Sequence, residues 1–161
     1  MIASLMTKPT PSAILFVCLG NICRSPLAEA AFRHEVARAG LTVEADSAGT
    51  GDWHVGHAPD PRAQATALRH GIDISNYRAR QIQRDDFHRF DMIFALDAEN
   101  LANIHRLAPA DHRAHVGLLL DMVPGREGQA VADPYYGDDA GFDVTWQDVQ
   151  SAARALIRHF A

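Results

Sequence analysis

The run Val17-Cys-Leu-Gly-Asn-Ile-Cys-Arg-Ser-Pro26 joins an apolar segment, Ile14 to Val17, to what reads as the opening of a helix. Ser25 is a good N-cap type, Pro26 fits the first helical position, and Glu29 brings negative charge near the positive end of the helix dipole. A loop between a strand and a helix start turns its backbone N–H groups toward one spot, and such a spot binds an oxyanion. Gly20 and Asn21 tolerate the left-handed backbone that curling this loop requires. Cys18 opens the loop and Arg24 stands six positions later. The pattern is a phosphate cradle with a nucleophile in its floor.

The rest of the chain places that cradle in an α/β fold. Residues 1–12, with two prolines and no periodicity, read as a flexible arm ahead of a single domain over 13–161. The spacing predicts a helix from Pro26 to about Arg38, stopped by Gly40, and a second strand over Leu41 to Ala45 that breaks at Ser47-Ala-Gly-Thr50. A loop to Asp60, a helix from Pro61 to His70 and one helical turn at 84–87 follow. Asp91 to Leu96 is a third strand, and Asp97 caps a helix that ends before Pro109. Val116 to Met122 is the fourth apolar run, residues 124–139 form a long loop, and an amphipathic helix ends the chain. Strands that alternate with helices and lack in/out alternation belong to a parallel sheet, which binds ligands at the carboxyl ends of its strands.

Bulk properties narrow the function classes. A chain of 161 residues with 47% hydrophobic content supports one core without staples. A net charge of −5 and no Lys/Arg cluster argue against a nucleic-acid partner, so a phosphate must be attracted by local groups. The run Ala13 to Leu19 is too short for membrane insertion, no targeting segment stands out, and two cysteines make no secreted disulfide framework. The expected location is the cytoplasm.

A free thiol is mostly protonated at neutral pH, but inward N–H groups, a helix N-terminus and an arginine favour the thiolate that would attack phosphorus. For Cys18 alone an inert core cysteine is an equal reading; Arg24 and the Ser-Pro helix start tip it toward chemistry. The Arg24 fork can hold two phosphoryl oxygens, and the Ser25 hydroxyl can donate to the Cys18 sulfur. A departing alkoxide or phenoxide needs an acid, and Asp133-Pro-Tyr-Tyr-Gly137 is the best candidate, with Tyr135 and Tyr136 as walls for a flat ring. Cys23 either forms a reversible disulfide with oxidised Cys18 or fills space. His54 and His57 lack a third ligand of telling spacing, so neither a metal nor another cofactor is expected.

Together, Cys18-Leu-Gly-Asn-Ile-Cys-Arg-Ser-Pro26 and Asp133-Pro-Tyr-Tyr-Gly137 resemble the low-molecular-weight protein-tyrosine phosphatases. Ser47-Ala-Gly-Thr50, His70-Gly-Ile-Asp-Ile-Ser75 and Leu96-Asp-Ala-Glu-Asn100 extend the similarity over nearly all of the chain. The resemblance implies a four-stranded parallel twisted sheet with helices on both faces and hydrolysis through phosphocysteine. Cys18 would be nucleophile, Arg24 the phosphoryl clamp, Asp133 the general acid and then base, and residues Leu19 to Cys23 with Ser25 the phosphate-binding loop. Asn21, Ser25, Ser47 and His70 match a network that holds the loop. Ile22 resembles the tyrosine-directed members, relatives acting on phosphoarginine carrying threonine there; Trp53 falls where the family lines the cleft mouth. Phosphotyrosine proteins or peptides are then the expected partners and inorganic phosphate the product.

Three rivals share parts of the pattern. An arsenate reductase would relay a disulfide to later cysteines, and none follows Cys23. A phosphocysteine carrier needs neither Arg24 nor Asp133, and a non-catalytic phosphotyrosine-binding module would have lost nucleophile or acid.

Overall fold

The computed structural model describes residues 11–160. Most of the expected arm, residues 1–10, lies outside the described residues, whereas Ser12 is already tied to the sheet. Its N–H donates to Asp91 Oδ2 at 2.6 Å and its carbonyl accepts from Glu44 N–H at 2.8 Å.

Strand β1 (Ala13–Cys18) is buried throughout, as an uninterrupted apolar run should be in a sheet covered on both sides. Helix α1 (Arg24–Ala39) follows and stops at Gly40, whose φ of 69° is the left-handed cap glycine accepts most readily. Next come β2 (Glu44–Gly49), α2 (Pro61–Arg69), the single turn α3 (Asp86–Arg89), β3 (Met92–Ala95) and α4 (Ala98–Leu107). Strand β4 (His115–Leu118) runs into a 3-10 turn (Leu119–Met122), and α5 (Asp139–Phe160) ends the described chain.

All pairings are parallel, in the order β2-β1-β3-β4. Alternation along β1 divides the core. Ile14, Phe16 and Cys18 pack with α1, α2 and α5, whereas Leu15 and Val17 face Phe87 of α3 and Ile104 of α4. Helices thus cover both faces of a four-stranded parallel sheet, as expected. The chain leaves β1 for β2 on one side and returns past it to β3, so the strand order reverses beside β1. Its carboxyl end opens into the crevice where such folds bind ligands.

Four local expectations are corrected. Strand β2 lies three residues later than the alternation placed it, because Ala45 to Gly49 pair with Ile14 to Cys18. Its small residues, read as a break, are what the loop above demands: a Cβ on Gly49 would stand 2.6 Å from the Leu19 carbonyl oxygen. The fourth apolar run holds a strand only to Leu118. At the start of α1 the N-cap is Cys23, not Ser25, because the Ser25 hydroxyl is turned inward. Glu29 is likewise buried against Ser47 and does not act as an exposed dipole partner. Among the described residues, no helix is long and apolar enough to cross a membrane.

Candidate active site

The loop between β1 and α1 curls over the carboxyl end of β1. Asn21 supplies the tight bend, with φ of 59°, a conformation asparagine tolerates better than most residues. The two residues that follow β2 hold it: Thr50 N–H donates to the Cys18 carbonyl and Gly51 N–H to that of Leu19, each at 2.9 Å. From α2, Asp60 N–H donates to the Ile22 carbonyl at 2.9 Å. The curl brings Asn21 N–H to 3.3 Å from Cys18 Sγ and the Ser25 hydroxyl to 3.0 Å from the same sulfur.

Behind the sulfur runs a polar chain whose hydrogens can be assigned. The Asn21 side-chain oxygen accepts from Arg80 N–H at 3.0 Å, so its NH2 group faces the two serines, 2.8 Å from Ser25 Oγ and 3.0 Å from Ser47 Oγ. Ser47 passes its own hydrogen to Glu29 Oε1 at 2.7 Å. The Ser25 hydrogen then has two acceptors, the Cys18 sulfur at 3.0 Å and the Ala48 carbonyl at 3.5 Å, and pointed at the nearer sulfur it makes the donation a thiolate needs. His70, expected in this network by resemblance, stands elsewhere. It caps the end of α2, exposed, with its ring stacked on Trp146 at 4.6 Å. The buried carboxyl of Glu29 takes the outer place in the chain, and half-buried Tyr77 lines the same small cavity.

Burial pushes the Glu29 carboxyl up to about 7, against the pull of the Ser47 hydroxyl and Arg33. The unfolded chain therefore releases this proton first as pH rises, and stability falls between the unfolded value of 4.5 and about 7 before levelling. Relative to Glu29→Gln, the wild-type protein is expected to lose about 2 kcal/mol between pH 5 and 7.5. Urea midpoints at the two pH values measure this, and parallel profiles would exclude it.

Arg24 is 4% exposed and oriented by partners that only the fold brings together. Its Nη1 donates to Asp97 Oδ2 at 2.8 Å and to the Val131 carbonyl at 3.0 Å. Asp97 also caps α4, its other oxygen accepting Asn100 N–H at 2.7 Å. The cap was legible from sequence, and its position directly after β3 was the signal for the second duty. Burial alone would lower the guanidinium pKa, but Cys18, Asp97 and Asp133 together hold it above its ordinary value.

Asp133 approaches from the far loop, with Oδ2 at 3.7 Å from Arg24 Nη2. Arg62 of α2 fixes that loop by donating to the Tyr135 carbonyl at 2.9 Å and the Gly137 carbonyl at 3.1 Å while pairing with Asp60. Nothing in the sequence around Arg62 marked it for this task.

These groups open into a pocket of about 420 Å³. Cys18, Leu19, Gly20, Ile22, Cys23 and Arg24 line its floor, and Trp53, His54, Asp133, Tyr135 and Tyr136 its sides. Asn21, Ser25 and Ser47 support the loop from behind. Trp53 is 67% exposed and folds back over Gly51, where a Cβ would strike its ring. Exposed aromatics around a floor that holds Cys18 and the Arg24 guanidinium suit a ligand with a flat apolar body and an anionic head. His54, read from sequence as an ordinary loop residue, borders Gly20 in the wall. The Cys23 thiol is raised well above its usual range, first by burial and then by Asp60, Cys18 and Asp133, so it rests as a neutral thiol. Among the described residues, no group of three His, Cys, Asp or Glu side chains is placed to hold a metal ion.

A parallel α/β sheet with a cysteine-floored pocket at its switch point defines the class. Within it, a family model described as low molecular weight phosphotyrosine protein phosphatase matches residues 13–161, and the chain belongs to that family. A Schizosaccharomyces pombe low molecular weight phosphotyrosine protein phosphatase is 49% identical over 92% of this chain and 96% of that one. The crystal structure of YfkJ from Bacillus subtilis has a TM-score of 0.85 at 40% identity, covering 92% of this chain and 93% of that chain. A Drosophila arginine phosphatase is as near in shape, with a TM-score of 0.86 at 33% identity over 91% of this chain and 96% of that one.

Proposed function

We propose that the protein hydrolyses phosphotyrosine in proteins or peptides, and small aryl phosphates, through a phosphocysteine intermediate. The observation that carries this reading is the placement of Cys18 Sγ between the Asn21 N–H and the Ser25 hydroxyl, in the floor of a pocket shared with Arg24 and Asp133.

The loop amides and the Arg24 fork bind the phosphoryl oxygens and stabilise their charge in the transition state. Sulfur attacks phosphorus; the S–P bond forms as the bond to the phenolic oxygen breaks, and Asp133 gives that oxygen its proton. Asp133, now a carboxylate, takes a proton from water as water attacks phosphorus. The S–P bond breaks, inorganic phosphate leaves, and the sulfur is again a thiolate held by Ser25. Trp53, Tyr135 and Tyr136 flank the phenyl ring, and Ile22 offers it an apolar floor. Cys23 acts as a redox partner of Cys18 only after losing the proton that burial holds on it, so in the resting site it packs as an apolar side chain. The cytoplasm, where tyrosine-phosphorylated proteins and reduced thiols coexist, is the setting we assign.

The similarity to the Drosophila arginine phosphatase gives the second reading its weight. Phosphotyrosine, phosphoserine and phosphoarginine peptides of one sequence separate the two. The expected order of kcat/KM puts phosphotyrosine at least about tenfold ahead, the rough worth of a bound ring. Preference for phosphoarginine would overturn the assignment, and binding without turnover would make the protein a recognition module.

A further inference from the structure

Beside the pocket lies a second groove, of about 320 Å³, whose walls include Leu19 and Trp53 from the first. Its far side is the carboxyl end of α4, with Asn103, Arg106 and Leu107. Leu19, Trp53 and Leu107 are each at least 40% exposed, so large apolar side chains stand open on both sides of the groove. No carboxylate lines it. Arg106 is exposed, braced by the Asn103 side chain, and forms no ion pair among the described residues.

We propose that this groove takes the substrate segment next to the phosphotyrosine, with Arg106 selecting an aspartate or glutamate side chain there. The inference rests on the phosphatase reading above and adds a specificity residue to it. Two observations fix the occupant. The groove adjoins the pocket, with Leu19 and Trp53 as the shared wall, so a peptide whose ring lies between Trp53 and the tyrosines meets it within a few residues of the ring. Its unpaired cation and lack of carboxylates match an acidic flank. The backbone and side-chain stems of such a segment cover the apolar walls, and its carboxylate reaches the guanidinium fork.

The test uses phosphotyrosine peptides in which one glutamate replaces alanine at each of three positions on either side of the ring. p-Nitrophenyl phosphate, too small to enter the groove, is the control. In the wild-type protein, glutamate at one flanking position is expected to lower KM about three- to fivefold, the strength of an exposed ion pair, with kcat unchanged. Arg106→Ala should erase that gain and leave turnover of p-nitrophenyl phosphate within about twofold, since Arg106 lies outside the pocket. Arg106→Glu should turn the gain into a loss and favour lysine at the same position. A wild-type protein indifferent to glutamate at every position overturns the proposal, as does a preference that survives Arg106→Ala. Absence of p-nitrophenyl phosphate turnover in the wild type would instead overturn the phosphatase reading itself.

Discussion

Cys18→Ser is expected to reduce turnover of p-nitrophenyl phosphate at least about 10⁴-fold, while inorganic phosphate still binds. The substitution exchanges sulfur for oxygen with little change of shape, and the serine oxygen stays within reach of the Asn21 N–H and the Ser25 hydroxyl. Those donors act only on an anion once it has formed, and an alkoxide, far more basic than a thiolate, does not form from serine without a base. The anion clamp is untouched, because Arg24 is fixed by Asp97 and the Val131 carbonyl, neither of which depends on the thiol. Calorimetric titration with phosphate and a single-turnover assay therefore read two separate functions of one loop. Retained turnover would remove Cys18 as nucleophile. Loss of both turnover and phosphate binding, with the thermal midpoint unchanged, would mean that the sulfur organises the cradle.

The sheet was legible because parallel strands buried on both faces are written as apolar runs. Ile14 to Val17 and Asp91 to Leu96 fall within a residue or two of the observed β1 and β3. Strand β2 was misplaced for a reason of the same kind. Its sequence, Glu-Ala-Asp-Ser-Ala-Gly, carries no apolar run, since the loop crossing its end leaves no room for side chains at Gly49. Close backbone approach thus erased the strand signal where the site begins.

The loop itself was readable, being local in sequence. The groups that orient it were not, because their spacing along the chain is arbitrary. Asp97 lies 73 residues from Arg24, and Glu29 and Ser47 meet across 18. Assigning His70 to the network followed the same weakness: a sequence match fixes a residue type but not the direction of its side chain. At the end of α2 that side chain finds the Trp146 ring.

Asp133→Asn should reduce kcat/KM for phosphotyrosine at least about a hundredfold, the usual worth of a positioned general acid. Asparagine is the informative substitution because the proposed mechanism gives Asp133 a catalytic duty beside its structural one. Its Oδ1 accepts the Tyr135 N–H at 3.1 Å, fixing the turn that carries both tyrosines, and an amide oxygen can keep that bond. The loop is also pinned independently, by Arg62 on the Tyr135 carbonyl and by Thr145 Oγ1 on the Ala132 carbonyl at 3.2 Å. What the variant loses is a proton. Oδ2, 3.7 Å from Arg24 Nη2, is the oxygen left to carry it. The loss must therefore depend on how much the departing oxygen needs protonation. Across aryl phosphates of increasing leaving-group acidity, the deficit in kcat/KM should shrink toward the most acidic phenols. The deficit in kcat should persist, because hydrolysis of phosphocysteine still requires a base for water and no longer involves the phenol. A uniform deficit in kcat/KM across the series would exclude Asp133 as the acid. Recovery of kcat along with kcat/KM would leave it the acid but assign the water to another group, for which His54 in the pocket wall is a candidate.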